Sequence, residues 1–232
     1  MFDYIQGEIV DIISVSNRVK LFYWRPEKDL AYAFIPGQFT IVSFPEIEGN
    51  MPHRSYSIAG IQDKCVELCI SFKEGGAATN ILWNKKVGDL LELTEAKGEF
   101  VLKESPTKEV CFIATGTGIA PFKPMIAELL EMSNCPEIYL VYGNRTQADI
   151  IYHNLWEQLN KEYANFHYLP VLSQEDQAVR KGYVHPYYMD LFADGRDAQF
   201  YLCGWDEMLK ESRRNLKTLG YNRKQYFIES YN

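Results

Sequence analysis

Apolar and polar residues alternate in short runs through the first hundred positions, and the alternation predicts strands at Glu8–Ile13, Val19–Trp24, Gln38–Ser43, Arg54–Ile58, Val66–Phe72 and Leu90–Thr94. Turn signals at Pro36-Gly37, Glu48-Gly49-Asn50 and Gly88-Asp89 separate them at the intervals of an antiparallel barrel. One short helix, Ala78–Asn84, interrupts the pattern.

After Lys103-Glu104-Ser105-Pro106-Thr107-Lys108 the period changes. Apolar runs predict strands at Val110–Ala114, Ile138–Tyr142, Phe166–Leu172, Gln199–Cys203 and Gln225–Tyr231. Helical spacing between them predicts helices at Phe122–Met132, Ala148–Leu159, Tyr187–Phe192 and Asp206–Leu219. Strands alternating with helices indicate a parallel sheet covered on both faces. The fold class is therefore two-domain: an antiparallel β-barrel over 1–104, then an α/β doubly wound parallel sheet over 105–232.

A chain of 232 residues has room for two cores of this size. With 47% hydrophobic and 24% charged residues and no low-complexity tract, neither disorder nor a fibrous repeat is in play. The formal charge of -7 disfavours attraction to a polyphosphate backbone, so nucleic acid is not expected as a partner. The opening MFDYIQGEIV is not a signal peptide, and no segment reaches the roughly 18 apolar residues of a membrane span. Five scattered cysteines suit a reducing cytosol, so a cytoplasmic location is expected. They also lack the tight spacing of a plant-type iron–sulfur cluster.

Gly116-Thr117-Gly118-Ile119-Ala120-Pro121, preceded by Thr115, stands where the first strand of the second half turns into its helix. The glycines let backbone approach a bound group, and the helix start behind them offers free N–H groups to a phosphate. Pro121 occupies the place of the usual third glycine and suits a first helical turn. In the first half, Gly75-Gly76-Ala77-Ala78-Thr79 precedes the short helix and could hold a phosphate; alone it reads equally well as a plain helix start. In "HRSYSIAG", Arg54 and Tyr56 share a strand face about 7 Å apart. An arginine suits a pyrophosphate and an aromatic suits a flat ring, which one flavin dinucleotide offers together. An arginine paired to a carboxylate beside a core tyrosine would look the same.

Taken jointly, these motifs resemble the ferredoxin–NADP reductase family. Its R-x-Y-S is matched by Arg54, Tyr56 and Ser57, its G-x-x-S/T by Gly76 and Thr79, its G-T-G-x-A-P by Gly116 to Pro121, and its late C-G by Cys203 and Gly204. Pro36-Gly37-Gln38-Phe39, Gly98-Glu99-Phe100 and Tyr142-Gly143-Asn144-Arg145 match in family order, and Glu229-Ser230-Tyr231 is similar to the plant-type ending, with Asn232 added.

The resemblance implies an FAD-binding barrel and an NAD(P)-binding α/β domain, with FAD as cofactor and NADPH or NADH as hydride donor. It implies Arg54 on the flavin pyrophosphate, Tyr56 on the isoalloxazine, Ser57 near its N5, and Gly76, Ala77 and Thr79 at the phosphates. Thr115, Gly116, Thr117, Gly118 and Pro121 would cradle the second dinucleotide. Cys203, Gly204 and Glu229 would flank the nicotinamide, and Tyr231 would be a movable lid. In the phosphate-binding segment Ser173 is retained, Gln174 replaces the expected arginine, and Arg145, Arg180 and Lys181 are the available cations.

The implied activity is electron transfer from NAD(P)H through flavin to a separate acceptor such as a ferredoxin, a flavodoxin or an oxygenase component. Lys210, Arg213, Arg214, Lys217, Arg223 and Lys224 form a basic patch that could steer an acidic partner, or simply face water at a helix end. A free-flavin reductase and a non-catalytic electron-transfer subunit are the alternative readings.

Overall fold

The computed structural model describes residues 3–27, 32–44, 53–103 and 109–231. The expected turn at Glu48-Gly49-Asn50, the junction around Ser105 and Asn232 lie outside the described residues. Two compact units form: Met1–Val101 with Ala120–Met125, and Leu102–Ile119 with Ile126–Asn232.

In the first unit β1 (Tyr4–Ser16), β2 (Val19–Pro26), β3 (Phe39–Ser43), β4 (His53–Gln62), β5 (Cys65–Ser71) and β6 (Leu90–Thr94) close an antiparallel barrel in the order β1-β2-β5-β4-β3-β6. β1 is far longer than Glu8–Ile13. Its first residues pair with β6 and the rest with β2, with irregularities between Ile9 and Asp11 and between Ser14 and Ser16. Each irregularity breaks the period of two, so the sequence pattern shows only the middle of the strand.

Ile9, Phe22, Trp24, Val42, Ile58, Leu68 and Leu93 fill the barrel. Trp24 is fully buried, and its indole N–H donates to the carbonyl of Leu91 at 3.2 Å. A Cβ on Gly7 would stand 2.3 Å from that indole, so glycine is required there. The β4–β5 hairpin turns through Asp63 and Lys64 at φ 50° and 66°, the double left-handed conformation of a type I′ turn without glycine. Helix α1 (Ala77–Asn84) follows β5 and buries Ala78, Thr79 and Leu82.

The second unit is a parallel sheet in the order β11-β10-β7-β8-β9, from β7 (Glu109–Thr115), β8 (Glu137–Asn144), β9 (Phe166–Leu172), β10 (Gln199–Gly204) and β11 (Tyr226–Ser230). Val110 to Ala114 are all at 0% exposure, as a central strand covered on both faces requires. Helices α2 (Phe122–Glu131), α3 (His153–Glu162), α4 (His185–Leu191) and α5 (Asp206–Thr218) connect the strands. Cys111, Ile113, Val141, Val171 and Leu202 pack with Tyr188 of α4 and Leu209 and Leu216 of α5. Stacked Phe112, Tyr201 and Phe227 cover the other face.

The helix expected over Ala148–Leu159 is a correction. A 3-10 turn, Gln147–Asp149, comes first: the Asp149 carboxylate accepts from the backbone N–H and the hydroxyl of Thr146. Ile150 is then extended and Tyr152 left-handed at φ 59°, so α3 starts at His153. Ile150 and Ile151 have the apolar spacing of a helix but are buried from non-helical backbone.

Ala120–Met125, which contains the start of α2, belongs to the first unit. There Lys123 pairs with Glu67 of β5, a carboxylate only 3% exposed that also meets the phenol of Tyr23. No helix among the described residues is long and apolar enough to cross a membrane. All five cysteines are free thiols.

Candidate functional site

β7 lies between β8 and β10, and the chain runs outward from β7 in both directions, so the crevice at the C-terminal ends of β7 and β10 is the topological switch point of the sheet. Gly116, Gly118, Cys203 and Gly204, singled out from the sequence, lie there. Gly116–Ile119 forms a 3-10 turn directly off β7. A Cβ on Gly118 would stand 2.3 Å from the carbonyl oxygen of Cys203, so only glycine lets this turn lie on β10. Gly116 is left-handed at φ +53°, with open space where a Cβ would point. Tyr142 braces the turn through a hydrogen bond from its hydroxyl to the Gly116 carbonyl at 2.8 Å. Gly204, at φ +145°, would place a Cβ 2.1 Å from the Thr115 hydroxyl. Pro121 follows at the start of α2 and is buried.

Cys203 of β10 pairs in register with Ala114 on one side and Glu229 of β11 on the other. Burial pushes its thiol well above the usual range, the Glu229 carboxylate adds to the rise, and a hydrogen bond with Tyr231 works against it. Burial of this thiol disfavours the thiolate that a nucleophile needs. Tyr231 is fastened by its backbone N–H to the Gly204 carbonyl at 3.0 Å.

At the ends of β8 and β9 the amides of Ser173 and Gln174 donate to the carbonyls of Asn144 and Arg145, and Leu172 N–H donates to the Arg180 carbonyl. The loop 173–180 is thereby held beside Arg145. Lys181 is engaged with Asp176 at 2.5 Å, whereas Arg145 and Arg180 make no ion pair among the described residues. The buried side-chain nitrogen of Asn144 has no hydrogen-bond partner among the described residues. A buried donor without an acceptor fits a ligand that brings one.

In the barrel, Arg54 and Tyr56 stand on one face of β4, opposite Val42 and Thr40 of β3. Arg54 is exposed and donates to the carbonyl of His53 at 2.7 Å. Burial pushes the Tyr56 phenol up to about 12, against the nearby Arg54 charge. Ser57, next on the strand, is buried at 3% exposure. Gly76 caps α1 without a side-chain hydrogen bond, no acidic residue occupies the first turn, and Gly75 faces open space. The Thr79 hydroxyl, however, is used by the backbone of Lys73 and Gly76 and closes the loop before Ala77.

Comparison with known proteins adds independent evidence. Residues 6–102 match the oxidoreductase FAD-binding domain and residues 112–214 the oxidoreductase NAD-binding domain. The chain belongs to the ferredoxin–NADP reductase family. It is 37% identical over 212 residues to the phenol hydroxylase P5 protein of Acinetobacter pittii, covering 87% of this chain and 58% of that relative. To Ferredoxin–NADP reductase B of Sorangium cellulosum it is 29% identical, with 97% of each chain covered. A ferredoxin NADP+ reductase from Neisseria gonorrhoeae, solved with FAD and NADP bound, superposes with a TM-score of 0.83 at 21% identity over 98% of each chain. The chain therefore spans nearly all of the second of these relatives and less than two thirds of the first.

The residues present fit both groups of such a reductase. The open Gly116 turn and the unsatisfied Asn144 nitrogen suit a dinucleotide, and the arginine–tyrosine face with an uncapped α1 start suits a second one. Asn144 stands in the matched run Tyr142-Gly143-Asn144-Arg145 but was not assigned from the sequence as a site residue; its buried, unpartnered nitrogen is what marks it. Sequence reasoning also passed over Trp205, which holds the N-cap position of α5 where a short polar residue is the usual choice.

Proposed function

We propose that this chain is an FAD-dependent oxidoreductase that takes hydride from NAD(P)H and passes electrons to a separate acceptor protein. The observation that carries the reading is the glycine turn at the switch point, closed on Cys203 and Gly204 and left open at Gly116. The redox chemistry belongs to the flavin when bound, which accepts hydride and can release electrons singly. The chain's own residues bind and orient. Arg54 would neutralise a pyrophosphate, Tyr56 would offer its ring, Ser57 a hydroxyl, and Gly76 and Ala77 the α1 amides, with Thr79 shaping their loop. Thr115, Gly116, Thr117, Gly118 and Pro121 would hold the second pyrophosphate. Cys203, Gly204, Glu229 and Tyr231 would meet the nicotinamide. Proximity and orientation, with no general base, supply the acceleration that hydride transfer needs.

Ser173, Arg145 and Arg180 would hold the adenosine end. Arg145 and Arg180 make no ion pair among the described residues, so NADPH is the preferred donor, and Lys181, in an exposed pair with Asp176, is a further available cation. The acceptor would be an acidic ferredoxin or flavodoxin or an oxygenase component. A groove lined by Lys210, Arg213, Arg214, Lys217 and Tyr226 supports this: the four cations are exposed and make no ion pair among the described residues. The five free thiols suit a reducing compartment. The reading is tested by steady-state NADPH oxidation with ferricyanide as acceptor, with and without added FAD. Turnover that depends on FAD is expected, and its absence with either nicotinamide overturns the reading.

A further inference from the structure

Four tryptophans are present, and three are accounted for by their surroundings. Trp24 and Trp156 are fully buried with their N–H groups bonded to carbonyls. Trp83 packs on Phe72 and under Lys20. Trp205 is 63% exposed, and its indole makes neither a ring contact nor a hydrogen bond among the described residues.

Its placement is nevertheless fixed. The backbone N–H of Trp205 donates to the Thr115 hydroxyl at 3.3 Å, bridging the ends of β10 and β7 at the switch point. Gly204 before it is left-handed, and α5 begins immediately after it. That helix start carries Asp206 and Glu207 in its first turn, so it repels phosphate, and an anion has no reason to sit against it. An exposed indole beside an open turn and next to carboxylates suits an uncharged or cationic flat ring.

The sheet geometry says which ring. The loop with Ser173 and Arg180 follows β9, the glycine turn follows β7, and Trp205 follows β10. Neighbouring strands lie about 4.8 Å apart, so β9 and β10, three steps from each other, are separated by about 14 Å. A dinucleotide with adenosine at β9 and pyrophosphate at β7 brings its other half to β10. We infer that the indole of Trp205 packs on the nicotinamide mononucleotide half of the donor, a contact that rests on the reductase reading and adds to it a residue which fixes ring placement.

The test is binding, not turnover. The full chain is titrated with NADP+, with nicotinamide mononucleotide and with 2′,5′-ADP, following tryptophan emission and, in parallel, heat. NADP+ and nicotinamide mononucleotide should quench and shift the emission and protect it from acrylamide, whereas 2′,5′-ADP should bind without doing so. Trp205→Phe should lose the signal and keep the affinity. Trp205→Ala should weaken NADP+ binding about tenfold and leave 2′,5′-ADP unaffected. If NADP+ releases heat on binding while the emission and the Trp205→Ala affinity stay unchanged, the inference is wrong and the reductase reading stands. If Trp205→Ala instead raises KM for a protein acceptor alone, the indole serves a partner and the inference is equally wrong. Absence of any dinucleotide binding overturns both.

Discussion

The N–H of Tyr231 donates to the carbonyl of Gly204 at 3.0 Å, which extends the β10–β11 ladder past the last residue of β11 and sets the phenol against the Cys203 thiol. The proposed lid role would make this ring a competitor of the nicotinamide. Tyr231→Ser should therefore tighten NADP+ binding by about tenfold or more, roughly the worth of one aromatic contact. Calorimetry reads the affinity, and an unchanged value removes the lid role. The same variant should speed alkylation of Cys203, which is at 0% exposure in the intact chain.

Charge on the α5 groove should govern encounter with an acidic acceptor, not chemistry. Arg213→Glu with Lys217→Glu should cut kcat/KM for a ferredoxin or flavodoxin at low salt by about tenfold or more, while ferricyanide reduction stays unchanged. The difference from wild type should shrink as salt screens the groove. Equal loss with both acceptors would point to damage elsewhere in the unit.

Glu67 is buried against Lys123 and Tyr23, so removal of the lysine takes an ionic partner from a buried carboxylate. Lys123→Met should destabilise the first unit by about 3 kcal/mol. Lys123→Met with Glu67→Gln should recover much of that loss. A urea-denaturation double-mutant cycle gives the coupling, and additive effects would show that the pair contributes nothing.

Stability should fall at both ends of the pH scale. Burial raises the thiols of Cys69, Cys111 and Cys203, so above the unfolded thiol value near 8.5 the unfolded chain gives up protons that the folded chain keeps. Each such thiol lowers stability by about 1.4 kcal/mol per pH unit in that range. Burial lowers His185 against the opposing pull of Glu211, so the folded state resists protonation and loses stability as pH falls through about 6.5. Thermal melts across pH should therefore show a plateau between these limits. Cys111→Ala should soften the alkaline decline.

The two folds were legible because their periods differ, two in the barrel and 3.6 with buried strands in the sheet. The boundaries were not. β1 was masked by its bulges, and Ile150 and Ile151 imitated a helix that the Thr146–Asp149 turn and the left-handed Tyr152 exclude. The type I′ turn at Asp63-Lys64 carries no glycine to announce it. At the site, glycines and the order of motifs were readable because their spacing is local. That Thr79 closes its own loop, that Lys181 pairs with Asp176, and that Asn144 is left with an unmet donor depend on neighbours distant in sequence or on burial, which one-dimensional spacing does not encode.

The most direct test of the central claim is an anaerobic titration. The protein is incubated with FAD, freed of excess, and titrated with NADPH and in parallel with NADH while flavin absorbance is followed. The account predicts that a protein-bound flavin bleaches at about one equivalent of NADPH, that NADH is less efficient, and that Arg54→Ala retains little flavin. A chain that keeps no flavin but reduces added flavin catalytically would be a free-flavin reductase, and a bound flavin that neither donor bleaches would contradict the account.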